Sequence, residues 1–184
     1  MTTSSDSVFR QVLGPDFNLL AAELQRFHSL AGRFELTGKL TVKGPHSIAG
    51  RLVCAMFALP QTTTESNFRF ELDAGAKQET WRRHFPGRLM VSKMRVGADV
   101  LVERFGPINF HFRLQADQGQ LNMLLQSVTV FGIPSPRFLM PTMRAQETGA
   151  QGKLHFSVSA HLPLVGLLAE YRGYLDIEGE DLAA

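Results

Sequence analysis

Apolar and polar residues alternate along most of the chain. Between Arg33 and Val42 the odd-numbered positions are polar or charged, and the apolar residues Phe34, Leu36 and Leu40 take the other positions with Gly38 in phase. This period of two predicts a β-strand with one buried face. Similar alternation recurs at 68–72, 81–85, 89–96, 100–105, 110–114, 121–131, 143–147, 154–162 and about 167–177. Turn pairs such as Pro86-Gly87 and Gly106-Pro107 separate these segments, so the pattern predicts an antiparallel meander of about ten strands.

A helical period replaces the alternation only in the first third of the chain. Val8, Phe9, Val12 and Leu13 form one apolar stripe, and Gly14-Pro15 breaks it. Asp16 is placed to cap a second helix, which Ala31-Gly32 ends. A third helix is predicted over 47–59, after the breaker Gly44-Pro45 and before Pro60. We therefore expect short N-terminal helices and a helical insertion after the first strand.

These elements predict an α+β fold that is mainly β. A meander of this length twists strongly, so the sheet is expected to curl into a barrel or clam. The order of one strand, a helical insertion and then successive hairpins is similar to the calycin-like clam of the fatty-acid-binding proteins. A sheet gripping a helix is the competing arrangement, but the C-terminal segment has the pattern of a strand. The chain lacks the alternation of strands and helices that Rossmann and TIM architectures need.

Composition restricts the function classes without selecting one. The chain has 184 residues, enough for one domain, which we place at 8–178 with disordered tails at 1–7 and 179–184. Its net charge is only +2, without a basic tract, so a nucleic-acid partner is not expected. Cys54 is the single cysteine, sits on an apolar helix and should be a buried, inert thiol.

Signals for cofactors, metals and membranes are missing from the sequence. No G-x-G-x-x-G or Walker motif occurs, and the His residues lack metal-site spacing, so neither a cofactor nor a metal is expected. The first residues do not form a secretory signal, and the longest apolar run, 48–60, is too short to span a bilayer. These features favour a cytoplasmic protein without a transmembrane segment.

Two residues on the last predicted strand form a candidate ligand anchor. Arg172 and Tyr174 are two positions apart and therefore project from the same face, together with Glu170. This arrangement resembles the carboxylate-anchoring Arg and Tyr of fatty-acid-binding proteins, where a guanidinium and a phenol hold an anionic head group. The alternative is a surface arginine paired with Glu170 beside a tyrosine at the rim.

Two other strands carry candidate polar side chains. His111 and Arg113 share one face of the segment 109–113, and His111 would suit general acid or base catalysis if that face points inward. Trp81 and Arg83 share a face of the segment 81–85, where an arginine between aromatic rings can bind a planar or anionic ligand. The alternatives are a solvent-facing side for the first pair and structural packing for the second.

Several motifs together resemble the bacterial family known as domain of unknown function 4166, DUF4166. They are Leu-Gly-Pro-Asp-Phe at 13–17, Arg-Phe-His at 26–28, Trp-Arg-Arg-His-Phe at 81–85, Glu-Arg-Phe-Gly-Pro at 103–107, Pro-Arg-Phe-Leu at 136–139 and Leu-Pro-Leu-Val-Gly at 162–166. The resemblance extends from about residue 8 to 178 and adds His28 to the candidate ligand-binding residues. Members of the family are often fused to an NAD(P)-binding Rossmann domain, which implies an accessory role beside an oxidoreductase partner.

Three functions remain open from the sequence. The first is binding of a small apolar or amphipathic, acidic molecule inside the curled sheet. The second is an enzyme that works without a cofactor in the same cavity, for isomerisation, cyclisation or hydrolysis, with His111, Arg113 and Arg83 as its residues. The third is the accessory subunit of an NAD(P)-dependent oxidoreductase.

Overall fold

Strands make up most of the protein. The computed structural model describes residues 6–45, 47–56 and 63–178. The strands are β1 (Gly32–Lys43), β2 (Thr64–Ala74), β3 (Gln78–Phe85), β4 (Arg88–Val96), β5 (Leu101–Phe105), β6 (Ile108–Asp117), β7 (Gln120–Val130), β8 (Ile133–Pro134), β9 (Thr142–Ala150), β10 (Lys153–Leu162) and β11 (Gly166–Asp176).

Ten of these strands close into an antiparallel barrel within the described residues. Neighbours in sequence pair from β1 to β7, β7 then pairs with β9, and β9, β10 and β11 continue the sheet. The last strand pairs with the first, with Gly38 opposite Leu175 and Val42 opposite Tyr171. The two residues of β8 pair only with the end of β7. The predicted meander and its curling into a barrel are confirmed.

The alternation in the sequence corresponds to the two faces of the barrel wall. On β1 the buried residues are Leu36, Leu40 and Val42, and their neighbours Glu35, Thr37 and Lys43 are more exposed. The wall therefore places one apolar side chain in the interior at every second position, as a half-buried strand requires. The buried side chains of the strands form a single continuous hydrophobic core.

Short helices close one end of the barrel. They are α1 (Val8–Leu13), a 3₁₀ helix (Gly14–Leu19) and α2 (Ala22–Phe27). The Ser7 hydroxyl caps α1 by accepting from the Arg10 backbone N–H at 3.3 Å. The apolar side chains of this segment are buried against the barrel: Val8, Phe9, Leu13, Phe17, Leu20, Leu24 and Phe27. We call residues 8–28 the plug.

The second predicted helix differs from the observed one. Asp16 lies inside the 3₁₀ helix instead of capping an α-helix, and α2 begins only at Ala22. The break lies at Leu20, which is extended and forms a bridge to Gly119 in the β6–β7 turn, while the Ala21 N–H donates to the Gly119 carbonyl at 2.9 Å. A tertiary contact with the barrel therefore interrupts the helical period.

The third helix, α3, spans Ile48–Met56, and the end of its predicted range, 57–59, lies outside the described residues. Ser47 accepts from the Gly50 N–H and donates to the Val165 carbonyl, both at 3.0 Å. The Cys54 thiol donates to the Leu168 carbonyl at 3.1 Å. Cys54 is fully buried, as expected, and burial raises the pKa of its thiol. These contacts fix α3 beside the start of β11.

The barrel thus has two different ends. The plug covers the end that carries the β2–β3, β4–β5, β6–β7 and β9–β10 turns. The opposite end carries the turns 86–87, 106–107 and 163–165 and the segment 131–141, and α3 lies on its border. We call this second end the mouth. Because successive strands run in opposite directions, each turn lies at one end of the barrel or the other.

Candidate functional site

The barrel encloses a cavity of about 360 Å³. Aromatic rings and methionines form most of its wall, including Phe70, Phe112, Met94 and Met123. The cavity extends from Phe27 of the plug to Leu139 at the mouth, where the Leu139 side chain is half exposed to solvent. A largely apolar cavity of this size falls in the range of small-molecule sites, roughly 300–1,000 Å³.

One charged pair lies inside this apolar wall. Arg83 on β3 and Glu103 on β5 are 7% and 5% exposed, and a guanidinium nitrogen of Arg83 lies 3.3 Å from the Glu103 carboxylate. A second guanidinium nitrogen donates to the hydroxyl of Ser92 on β4 at 2.9 Å. The guanidinium also lies over the Trp81 ring, 4.8 Å from its centroid. Because the pair is buried and hydrogen-bonded, its geometry is fixed by the strands that carry it.

Tyr171 and Glu147 add polar groups to the same wall. Both line the cavity, and Tyr171 packs edge-on against Phe85 with ring centroids 5.5 Å apart. Burial raises the pKa of Tyr171 to about 12, so its hydroxyl keeps its proton at neutral pH. We call Arg83, Glu103, Glu147 and Tyr171 the polar cluster. Arg83 is the only lysine or arginine among the described residues that line the cavity.

A buried contact between a histidine and a carboxylate joins the plug to the wall. His28, just after α2, is 2% exposed, and its Nε2 lies 2.7 Å from a Glu147 carboxylate oxygen. The imidazole stacks on Phe9 with 3.9 Å between ring centroids. Its Nδ1 is buried and has no hydrogen-bond partner among the described residues. His28 therefore holds the plug through one carboxylate that also belongs to the polar cluster.

Glu79 is a third buried carboxylate, beneath the cavity. It accepts a hydrogen bond from the Trp81 indole N–H at 3.0 Å. Burial raises its pKa, and the nearby His28 and the Trp81 hydrogen bond oppose that rise only in part. The plug end of the interior therefore contains two carboxylates, Glu79 and Glu147, around one imidazole.

The structure brings together three of the seven residues that the sequence suggested. Trp81 and Arg83 line the cavity, and His28 lies directly below it, in contact with Glu147. Trp81 also packs against Phe9, Phe27 and Phe70, so its role in the aromatic core is evident alongside its contact with Arg83. Binding of a ligand by these residues stays a prediction.

His111 and Arg113 lie on the outer face of β6. Their neighbours Phe110, Phe112 and Leu114 take the inward positions. The pKa of His111 is lowered by partial burial and by the Arg95 guanidinium, and its Nε2 has no hydrogen-bond partner among the described residues. Arg113 is exposed. The barrel wall therefore separates both side chains from Arg83.

Arg172 and Tyr174 lie on the outer face of β11. Tyr171 and Leu175 lie on the opposite face of the strand and line the cavity instead. Tyr174 packs beside His155, and the Lys153 ammonium lies 4.1 Å from the centre of the Tyr174 ring. The two residues border a shallow outer groove together with Lys39 and Ser157. As a head-group anchor they would act in that groove, outside the barrel.

Three residues of the polar cluster, Glu103, Glu147 and Tyr171, were not predicted from the sequence, although the two carboxylates leave a signal in it. Glu103 occurs in phase with Leu101 and Phe105, and Glu147 occurs in phase with Met143 and Ala145. A carboxylate at an apolar position of a strand is the signal that could have identified both, because such a group needs a buried partner.

Comparison with known proteins identifies a family for this arrangement. Residues 20–175 match the family described as domain of unknown function, DUF4166. The chain belongs to the DUF4166 family. None of the curated proteins compared with this DUF4166 chain matches it. Among solved structures, the crystal structure of Rv2717c from M. tuberculosis is 13% identical, with a TM-score of 0.45 over 87% of this chain and 99% of that chain.

In residues 6–45, 47–56 and 63–178, no helix is long and apolar enough to cross a membrane. The same residues contain no group of three or more His, Cys, Asp or Glu side chains arranged to hold a metal ion.

Proposed function

We propose that this DUF4166 barrel binds one small amphipathic molecule inside its cavity. The observation that carries the proposal is the cavity itself, about 360 Å³ of mostly apolar wall with one polar cluster set into it. Natural ligand sites combine a large apolar surface with a few fixed polar groups in this way. The apolar wall would hold the body of the ligand, and the polar cluster would fix its orientation.

The polar cluster favours a neutral head group over an acidic one. Arg83 already has Glu103 as its counter-ion, and Glu147 adds a second carboxylate to the lining. An acidic ligand would meet two carboxylates and one guanidinium, and it would have to displace a buried ion pair. An alcohol or an amide with an N–H can instead accept from Tyr171 or Arg83 and donate to a carboxylate, and a ketone can accept, in each case without adding charge. We therefore propose a neutral polar group, in place of the acidic group expected from Arg172 and Tyr174.

Catalysis is not part of this proposal. The enzymatic alternative needs His111 and Arg113 beside Arg83, and both lie on the outer face of β6. The accessory role beside an oxidoreductase stays a prediction, since no contact among the described residues bears on it. Binding alone accounts for the polar cluster.

Displacement of the fluorescent probe N-phenyl-1-naphthylamine tests the proposal. We expect the wild type to bind the probe, and 1-dodecanol to displace it at concentrations about tenfold lower than dodecanoic acid, because the acid must be buried beside two carboxylates. Tighter binding of dodecanoic acid would refute the neutral head group. Absence of probe binding would refute the cavity site as a whole.

Two matched variants localise the binding. Ala145 lines the cavity, so Ala145→Phe should fill it and abolish probe binding. Ser157 lies on the outer face of the neighbouring strand β10, so Ser157→Phe adds the same ring outside the barrel and should bind as the wild type does. Equal probe binding by the two variants would show that the probe binds elsewhere.

A further inference from the structure

Large apolar side chains are exposed at the mouth. Phe131 is 81% exposed, Ile133 70%, Phe138 72% and Leu164 fully exposed. They come from three separate segments, the β7–β8 hairpin, the 3₁₀ helix Arg137–Leu139 and the β10–β11 turn. At this exposure most of each side chain faces solvent. Such a concentration of apolar side chains at one end marks an interaction surface.

The turns at the two ends share a left-handed backbone conformation but carry different side chains at those positions. Five non-glycine residues have a left-handed backbone with φ between 49° and 66°. The three at the plug end are polar, namely Asp99, Gln118 and Gln151, and the two at the mouth are Phe131 and Leu164. Left-handed positions favour Gly, Asn and Asp, and a bulky residue there is strained. At the mouth this strained position displays an apolar side chain to solvent.

The two ends also differ in charge. The mouth segments 43–45, 47–56, 63–66, 84–89, 104–109, 128–144 and 161–170 carry six Lys and Arg residues and two carboxylates. The plug-end segments 6–33, 73–79, 95–101, 115–122, 147–155 and 175–178 carry six Lys and Arg residues and ten carboxylates, of which Glu79 and Glu147 are buried. The mouth is therefore cationic where its apolar side chains project, and the opposite end is acidic. The cations of the mouth are Lys43, Arg51, Arg88, Arg104, Arg137 and Arg144.

We propose that the mouth docks on an anionic lipid bilayer. Phe131, Ile133, Phe138 and Leu164 enter the interface between head groups and acyl chains, and Arg137 and its neighbours contact the anionic head groups. Each cation near such a surface contributes about 1 kcal/mol, and buried apolar groups add about 0.8 kcal/mol per CH₂. An anionic bilayer suits this surface because it takes up both kinds of side chain at once, the apolar ones beside the acyl chains and the cationic ones at the head groups. The docked cavity would open toward the bilayer.

Flotation with lipid vesicles tests this docking. We expect the wild type to float with vesicles of phosphatidylcholine and phosphatidylglycerol at 3:1 and much less with pure phosphatidylcholine, and 0.5 M NaCl should weaken the binding. The double variant Phe131→Asn/Leu164→Asn should lower the partition coefficient at least about tenfold, since it removes two apolar side chains from the lipid. The single variant Arg137→Gln should lower binding to the anionic vesicles about fivefold.

The plug end supplies a matched control. Gln118→Asn/Gln151→Asn makes the same substitution at two left-handed turn positions of the opposite end, and it should bind vesicles as the wild type does. Asn tolerates this backbone at all four positions, so misfolding does not explain a difference between the pairs. Equal loss in both double variants would overturn the assignment to the mouth, and absence of wild-type binding to anionic vesicles would overturn docking itself.

Two further results would decide between lipid and other occupants. If the wild type forms a dimer in sedimentation equilibrium that Phe131→Asn/Leu164→Asn dissociates, the mouth is a contact between copies and the lipid proposal is wrong. The cavity-filling variant Ala145→Phe should still float with anionic vesicles, because docking does not depend on the proposed ligand. Failure of either proposal therefore leaves the other one testable.

Discussion

The buried pair of Arg83 and Glu103 allows a quantitative test of how the interior is held together. Arg83→Met removes the guanidinium that contacts Glu103 at 3.3 Å and Ser92 at 2.9 Å, and it leaves a carboxylate that is only 5% exposed. Methionine matches the wall, which already contains Met90, Met94 and Met123. Breaking a buried pair in this way costs about 3–5 kcal/mol, because one charge stays buried without its partner.

Removing both charges should cost much less. In Arg83→Met/Glu103→Met neither charge is buried, and replacement of a whole buried pair by apolar residues is often neutral or stabilising. We expect the double variant to be within about 1 kcal/mol of the wild type, whereas either single variant loses several times as much. A loss of that size is a large fraction of the total stability of a domain, about 5–15 kcal/mol.

Urea unfolding of the four proteins measures the coupling directly. The free energy of unfolding of each is extrapolated to water, and the double-mutant cycle gives the interaction energy of the two side chains. The reasoning fails if the double variant loses the sum of the two single losses, since the side chains would then stabilise the fold independently. The same double variant should still bind N-phenyl-1-naphthylamine and keep its preference for dodecanol over dodecanoic acid, because the Glu147 carboxylate stays in the lining and the guanidinium is gone.

Three other substitutions give separate tests. Burial raises the pKa of Glu79 above its ordinary value of 4.5, so folding favours the protonated carboxyl, and the stability of the wild type should fall as pH rises from 4.5 through the folded pKa. Glu79→Gln should therefore have a higher melting temperature than the wild type at pH 7 but not below pH 4.5. Parallel melting-temperature profiles of the two proteins from pH 4 to 8 would contradict this. Gly38→Ala should lose about 2 kcal/mol or more in urea unfolding, because its Cβ would collide with the Tyr174 backbone carbonyl, whereas Gly87→Asn, in an open turn with φ of 72°, should be neutral. Phe131→Asn should raise the free energy of unfolding by about 1 kcal/mol while weakening vesicle binding, and a loss of stability would show that the Phe131 ring packs on the protein.

Period-two patterning predicted the strands well because one face of nearly every strand is buried. It did not predict which face of β11 points into the barrel, because large side chains occur at both odd-numbered and even-numbered positions of this strand. Leu168 and Tyr174 are at even-numbered positions, whereas the odd-numbered positions include the small residues Ala169 and Gly173. Gly173 is small because the Lys39 backbone passes close to it on β1, a contact that the sequence alone does not reveal. The inward side of β11 is therefore decided by its pairing with the first strand.

The polar cluster was only partly predictable for a related reason. Arg83 and Glu103 lie on β3 and β5, which are not neighbours, and their side chains meet across β4. Residue spacing along one strand indicates a shared face, but it does not indicate a contact that spans two strand separations. His28 and Glu147 are further apart in sequence, and their contact depends on the docking of the plug.

Closure of the barrel through β1 and β11 also has a consequence for folding kinetics. Apart from the β7–β9 seam and the β1–β2 seam, whose strands are separated in sequence by 44–63 with α3, each of the other seams joins strands linked by a short turn, so these hairpins can form locally. The β1–β11 seam must wait until nearly the whole domain is in place, and contacts of such high sequence separation slow folding. Until then β1 and β11 each expose an unpaired edge that another chain can join. Aggregation during refolding should therefore depend steeply on protein concentration and should decline once this last seam has closed.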